Sequence, residues 1–323
     1  MKYVATLAGL LICALSPPPA VADDNCTPKL VASLDMTPTA RGLFTVPVTF
    51  NGEQHRVVVE TDSIHSALNG AFVAQAGFQT KPIAERVSIE MAGALASSYA
   101  VVPTFGIDKN TGADIAFIVD PSGEPVHNDI VGSIGMDLLG NFDLDLDFKA
   151  NKLNLFSSNS CEGGGVYWSK TYQELPLDMS TGRANTQMVL DGKDVSVTMA
   201  TGSTISYMRA DVAKALFGIT PTVQNDVQTP ANIATAPANY FKSLEGGGLS
   251  IGRPAIALFG DPNAPPCDNH RHHHLANPTS AMTVLTTCYS NGQVTLGLRE
   301  MRQLHLYLAF KAGKVYFTAA DAN

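Results

Sequence analysis

Val57-Val58-Val59-Glu60-Thr61-Asp62-Ser63-Ile64-His65-Ser66 has a counterpart later in the chain, Val197-Thr198-Met199-Ala200-Thr201-Gly202-Ser203-Thr204-Ile205-Ser206. Each stretch is an apolar, β-prone run that ends in a small, hydroxyl-rich turn. Asn51-Gly52 precedes the first and Asp191-Gly192 precedes the second at the same spacing, and both dipeptides mark a two-residue hairpin. A second pair of segments aligns in the same order. Ile134 to Leu155 lies without a gap on Leu296 to Phe317, with Gly135, Leu144, Leu146, Phe148, Lys149, Ala150 and Lys152 recurring identically. Two ungapped matches in one order are the signature of an internal duplication.

The residues between these matches read as short strands and turns. Leu43 to Phe50 alternates and is β-branched, Asn51-Gly52 turns it, and His55 to Val59 returns toward Glu60. Asn69 to Ala76 reads as a short helix stopping at Gly77, and Arg209 to Phe217 as its equivalent stopping at Gly218. Val87 to Val102 reads as two strands around Met91, Ala92, Gly93 and Ala94. Ser157 to Gly165 is a Gly/Ser linker, after which Val166-Tyr167-Trp168 resumes strand character. The middle of the second half, 221–238 and 260–278, is loop-like.

These features resemble the pepsin and retropepsin clan of aspartic proteases, specifically the two-repeat, retropepsin-like proteins of bacteria. The resemblance implies an all-β, two-lobed fold, with duplicated β-barrel lobes related by a pseudo-twofold axis and a cleft between them. In that clan each repeat carries apolar-apolar-Asp-Thr-Gly-Ser/Ala. The Asp is aimed into the cleft, the Thr braces the loop, and the Gly leaves room for the opposing loop. Here the first copy reads Glu60-Thr61-Asp62-Ser63 and the second Ala200-Thr201-Gly202-Ser203. Neither keeps the Asp. The resemblance assigns loop bracing to Thr61, Ser63, Thr201, Gly202 and Ser203, and places Met91, Ala92 and Gly93 in the flap hairpin that covers a bound peptide. It also makes Ile134-Gly135 and Leu296-Gly297 the elements that pass beside the two loops.

Aspartic proteolysis needs two carboxylates close enough to share one proton, because like charges about 3 Å apart cannot both ionise. Ala200 removes one carboxylate. Glu60 keeps the other but on a longer arm, and a misplacement of about 1 Å can cost roughly 100-fold. Asp62 stands at the clan's Gly position, where its side chain should crowd the opposing loop. As an alternative pair, Glu60 and Asp62 suffer from being two apart, since such residues on extended backbone point to opposite sides. No G-x-S-x-G elbow supports a serine nucleophile. The run His270-Arg271-His272-His273-His274 fits no closed zinc site, so neither a metal nor another cofactor is expected. Asp143, Asp145 and Asp147 alternate with Leu144, Leu146 and Phe148 and read as the wet face of a strand rather than a calcium loop.

Residues 1–22 have Lys2, an apolar run from Val4 to Leu15, and Ala20-Val21-Ala22 before Asp23, the pattern of a secretory leader. The expected division is a signal peptide at 1–22, a first aspartic-protease-like lobe at 23–160 and a second at 161–323. No later stretch offers the roughly 20 apolar residues of a membrane span. The formal charge is −8, and its basic residues are scattered, which argues against nucleic acid as a partner. Cys13 leaves with the leader, so Cys26, Cys161, Cys267 and Cys288 remain, an even set for an oxidising compartment. Three pairings are open. The positions of Cys26 and Cys161 at the two ends of the first lobe, and of Cys267 and Cys288 around a Pro- and His-rich loop, favour those two bridges.

The sequence therefore points to a periplasmic or secreted aspartyl protease homologue, impaired by Glu60 and Ala200, whose cleft holds extended peptide or protein. One chain supplies both lobes, so a monomer is expected. The alternatives are an active acid endopeptidase using Glu60 with Asp62, and an envelope interaction module.

Overall fold

The computed structural model describes residues 29–85, 87, 89–91, 94–121, 129–157, 166–220, 238–263 and 292–320. Residues 1–28, the 158–165 stretch, Cys26, Cys161, Cys267 and Cys288, and His270 to His274 lie outside the described residues.

The chain folds from its two hairpins. Asn51 and Gly52 take φ of 51° and 85°, and Asp191 and Gly192 take 47° and 79°. Both residues at positive φ give the primed turn whose twist matches that of the flanking strands. Phe44–Phe50 thereby pairs antiparallel with Glu53–Val59, and Asn185–Leu190 with Lys193–Met199. Each returning strand then gains a parallel neighbour from far along the chain. Ile130–Ile134 lies against the first and Val294–Leu296 against the second. The same neighbours run antiparallel to Ala67–Asn69 and Ser206–Arg209, the strands that leave the two loops. Each loop is therefore threaded by a passing strand, which needs small residues where backbones touch. A Cβ built on Gly297 would lie 2.2 Å from the Ile205 carbonyl oxygen, and one on Gly135 would lie 2.8 Å from the Ser63 and His65 oxygens.

The short helices stand as the sequence reads. Asn69 caps Gly70–Ala76 by accepting from the Ala71 and Phe72 N–H groups, and Gly77 ends it at φ 67°. Ala210–Phe217 ends in the same way at Gly218.

The lobes share a six-stranded sheet, in the order Leu30–Asp35, Lys152–Ser157, Phe142–Asp147, Leu304–Ala309, Lys314–Ala319, Gln173–Pro176. At its centre Leu144 faces Leu308 and Leu146 faces Leu306. Equivalent residues of the two repeats thus exchange partners, so the pseudo-twofold axis passes between the two central strands. These four leucines are almost fully buried and belong to one apolar cluster that runs through both lobes.

Three readings change. Asp143 and Asp145 are not on a wet face: they are 4% and 0% exposed. The face they occupy is covered by Val166, Trp168 and Tyr172, which pack on Phe156, Tyr307 and Tyr316. Asp145 accepts from Asn154 Nδ2 at 2.8 Å and from the Tyr167 hydroxyl, and lies 2.6 Å from His305 Nε2. Trp168 stacks on His305 with ring centroids 3.7 Å apart and planes 9° apart. Second, Val166-Tyr167-Trp168 is not a strand, because its rings form that cover rather than a ladder; the first strand after the linker is Gln173–Pro176. Third, the segment read as two strands about Met91 is a minimal hairpin, Glu90–Met91 with Ala94–Leu95, followed by the long strand Ser98–Ile107. Ala92 and Gly93 lie outside the described residues.

Gly297→Ala is expected to prevent accumulation of folded protein, because the methyl group meets unyielding backbone. Gly252→Ala, where a Cβ meets nothing within 4 Å, is expected to stay within about 0.5 kcal/mol of wild type in denaturant unfolding.

Candidate functional site

The two quoted loops meet at the lobe junction. Thr61 N–H donates to Thr201 Oγ1 at 3.0 Å, and Thr201 N–H donates to Thr61 Oγ1 at 3.2 Å. The hydroxyls then reach across the junction, Thr61 to the Met199 carbonyl and Thr201 to the Val59 carbonyl, each at 2.6 Å. Both threonines are essentially inaccessible to solvent. A β-branched hydroxyl is the residue type that can fill this space and both donate and accept.

Behind each loop sits a serine and an acid. Ser66 Oγ accepts from Gly135 N–H at 2.9 Å and donates to Asp137 at 2.5 Å. Ser206 Oγ accepts from Gly297 N–H at 2.9 Å and donates to Glu300. The second repeat has Arg299 in the place of Asp137, and Glu300 restores the acid one residue later from a position 2% exposed. The Ser63 and Ser203 hydroxyls close their own loops by donating to the His65 and Ile205 carbonyls, both at 2.8 Å.

Glu60 and Ala200 stand at equivalent places, their N–H groups donating to the Ile134 and Leu296 carbonyls at 3.0 and 2.9 Å. Ala200 is fully buried and brings no polar group. Asp62 reaches over from the first loop, its Oδ1 accepting from Gly202 N–H at 2.9 Å. A Cβ built on Gly202 would meet Asp62 Oδ1 at 2.8 Å, Glu60 Cγ at 3.0 Å and Asp62 Oδ2 at 3.3 Å. The two acidic side chains therefore converge on one point rather than diverging. The backbone at Thr61-Asp62 is a turn, not the extended chain for which alternation holds. Gly202 is small here because Asp62 occupies the space a side chain would need.

The electrostatics follow from this convergence. Burial, reinforced by the Asp62 charge and more weakly by Asp120, pushes the Glu60 carboxyl up to about 8 against a hydrogen bond with Ser133. Burial also raises Asp62, opposed by the Gly202 N–H, by its own N–H and by the Arg183 charge. Arg183 Nε donates to the Asp62 carbonyl oxygen at 2.5 Å. Tyr207 lies within electrostatic reach of both, is hydrogen-bonded to the Thr295 side chain, and is pushed up to about 12 chiefly by burial.

Sequence reasoning missed Arg183 and Tyr207, although comparing the repeats position by position exposes both. The arm carrying Gly182 packs on Ile64, as the arm carrying Gly42 packs on Thr204. The residue after each glycine is Arg183 in one arm and Leu43 in the other. Ser133 and Thr295 are equivalent by strand register, and so are Ala67 and Tyr207. The partner of that hydroxyl is thus Glu60 in the first lobe and Tyr207 in the second. Met91 packs with Ile83, Ile89 and Tyr99 on a small cluster beneath the minimal hairpin. Among the described residues no group of three His, Cys, Asp or Glu side chains could hold a metal ion, and no helix is long and apolar enough to cross a membrane.

Solved structures share this architecture. An aspartic proteinase from Irpex lacteus is similar with a TM-score of 0.50 at 11% identity, over 90% of this chain and 97% of that one. A basic 7S globulin from soybean gives 0.48 at 10% identity, over 91% and 96%. A retropepsin-like aspartic protease from Rickettsia conorii gives 0.30 at 16% identity, over 41% and 94%. No protein-family model and no curated protein sequence matches the chain. At these identities the likeness is one of fold: a mostly β, two-lobed, pepsin-like architecture.

Thr61→Val or Thr201→Val keeps the shape but removes the cross-junction hydrogen bonds, and each is expected to cost about 1–3 kcal/mol. The double variant should cost less than the sum, as denaturant unfolding of all three would show. Because folding raises the Glu60 pKa, the native state holds a proton that the unfolded chain has lost. That contribution is complete below the unfolded value of about 4.3 and is lost as pH rises through about 8. Stability should therefore fall from about pH 4.3 to 8, and Glu60→Gln should remove the Glu60 part of the decline, leaving the part that the raised Asp62 contributes in the same direction. Thermal melts across that range test it.

Proposed function

We propose that the protein is an exported, pepsin-like homologue that binds extended peptide between its lobes and has lost most or all peptide-bond hydrolysis. The single observation that carries this reading is the second loop. Ala200 supplies no acid there, and Asp62, the carboxylate that reaches that loop, is held by the Gly202 N–H and faces the Arg183 charge. A catalytic pair must pass a proton to and from a water held between its members. A carboxylate fixed by a backbone donor and biased by a guanidinium is poorly placed for that exchange. Export follows from the leader-like residues 1–22.

A second reading draws on the convergence of Glu60 and Asp62 beside Gly202 together with the high Glu60 pKa. A Glu60 that keeps its proton beside a second carboxyl group has the makings of an acid protease's pair, with both acids on one loop. On this reading the protein is an acid endopeptidase.

Digestion of a denatured protein substrate at acid pH, with and without a pepstatin-type inhibitor, decides between them. The wild-type protein is expected to give no inhibitor-sensitive cleavage; such cleavage, abolished by Glu60→Gln, would establish the second reading. The variant Glu60→Asp/Asp62→Gly/Ala200→Asp is expected to gain activity. Arg183→Leu is added to it so that no guanidinium is left without its carboxylate.

A further inference from the structure

The two repeats serve as controls for one another, and at the junction they differ in a correlated way. Where the second loop has Gly202 the first has Asp62, and where the first arm has Leu43 the second has Arg183. These departures meet in space: Arg183 Nε donates to the Asp62 carbonyl, and the two charges attract. The Asp62 carboxylate nevertheless makes its hydrogen bond to the Gly202 N–H and not to the guanidinium. Arg183 Nη1 is left buried with no hydrogen-bond partner, one of only two such side-chain atoms among the described residues. A buried charged N–H without an acceptor is costly. The matching arm has the apolar Leu43 at this place, packed against the main core cluster.

Arg183 is not isolated from other donors. Tyr207 is near enough to interact with both Arg183 and Asp62, and its hydroxyl is neutral at any ordinary pH. The residue as a whole is only partly buried, and it comes from the second lobe. A planar guanidinium with a free N–H presents a fork that matches a carboxylate better than any other common group on a peptide.

The geometry points to Arg183, assisted by the Tyr207 hydroxyl, as a binding site for a carboxylate carried by the peptide ligand. This deepens the peptide-binding reading and rests on it. Nη1 is out of solvent's reach in the unliganded chain, so the guanidinium turns as the carboxylate binds, and the carboxylate then satisfies it and offsets the positive charge. It belongs either to a peptide's C-terminus or to an acidic side chain. Asp62 acts as the intramolecular competitor that keeps the arginine compensated when the site is empty.

Isothermal titration with three peptides tests this: N-acetyl-hexa-alanine as the free acid, the same peptide as its C-terminal amide, and the amide with one internal Glu. A charge-assisted hydrogen bond from a buried donor should make at least one carboxylate peptide bind about tenfold more tightly than the plain amide. Preference for the free acid identifies the C-terminus, and preference for the Glu peptide identifies the side chain. Arg183→Leu leaves Asp62 uncompensated and could unfold the protein. Asp62→Gly/Arg183→Leu instead reproduces the Gly202 and Leu43 arrangement of the other half, and should fold with the preference reduced to about one. Equal affinity of the wild type for all three peptides would overturn the inference while leaving the peptide-binding reading intact, as would a preference that survives in the double variant. Failure of all three to bind would remove both.

Discussion

Two threonines, each accepting the other's N–H and each donating to a carbonyl on the far side, fix the distance and orientation between the lobes. Every cross-junction relation depends on that exchange. It places Gly202 under Asp62, brings the Gly182 arm onto Ile64, and holds Glu60 and Ala200 at matched positions. The exchange needs hydroxyls at 61 and 201 and nothing from residues 60 or 200. The scaffold is thus energetically separate from the acids it displays. The architecture does not rest on what stands at positions 60 and 200: no term in the exchange, the leucine seam or the serine-acid supports behind the loops runs through them.

The second loop carries Ala200 where the first carries Glu60, and the side chains around the two positions differ as well. A buried polar hydroxyl still needs a partner, and Thr295, the equivalent of Ser133, finds it in Tyr207 where the first lobe has Ala67. The larger ring brings a hydroxyl that does not ionise below about 12. On the first-lobe side, Glu60 takes the Ser133 hydrogen bond and is largely protonated at neutral pH. The junction holds two neutral groups, Glu60 and Tyr207, beside Asp62, whose backbone carbonyl takes the Arg183 Nε–H and whose carboxylate takes the Gly202 N–H.

The fold was legible because its signals are local and repeated. Asn51-Gly52 and Asp191-Gly192 dictate positive φ, Gly77 and Gly218 end helices, and the duplication fixes which strands correspond. Leu144 and Leu146 recur as Leu306 and Leu308 because they meet across the axis. What sequence reading lost has a different origin. Asp143, Asp145 and Asp147 alternate like a solvated strand, yet the first two are buried because a segment beyond the linker lays Trp168 and Tyr167 over them, a contact no periodicity encodes. The convergence of Glu60 and Asp62 was hidden because alternation presupposes extended backbone and the chain turns at Thr61. Arg183 left a trace only as a charge in one repeat where the other has Leu43, visible once position 62 is set beside position 202.

The cover over the central sheet shows the same logic on the opposite face of the molecule. His305 and Asp145 lie in neighbouring strands contributed by different repeats, 2.6 Å apart and almost fully buried. A buried pair of this kind adds little net stability, since desolvation offsets most of the attraction, but separating its members exposes each to a large penalty. It therefore acts on register: a slip of Leu304–Ala309 against Phe142–Asp147 would part His305 from Asp145 and also lift Trp168 off the imidazole. The leucine seam alone tolerates such a slip, because Leu306 and Leu308 are interchangeable in size and would pair again after a two-residue shift. The polar pair is not interchangeable. It is the feature that makes one alignment of the lobes unique, and with it the meeting of Thr61 and Thr201 on the other side.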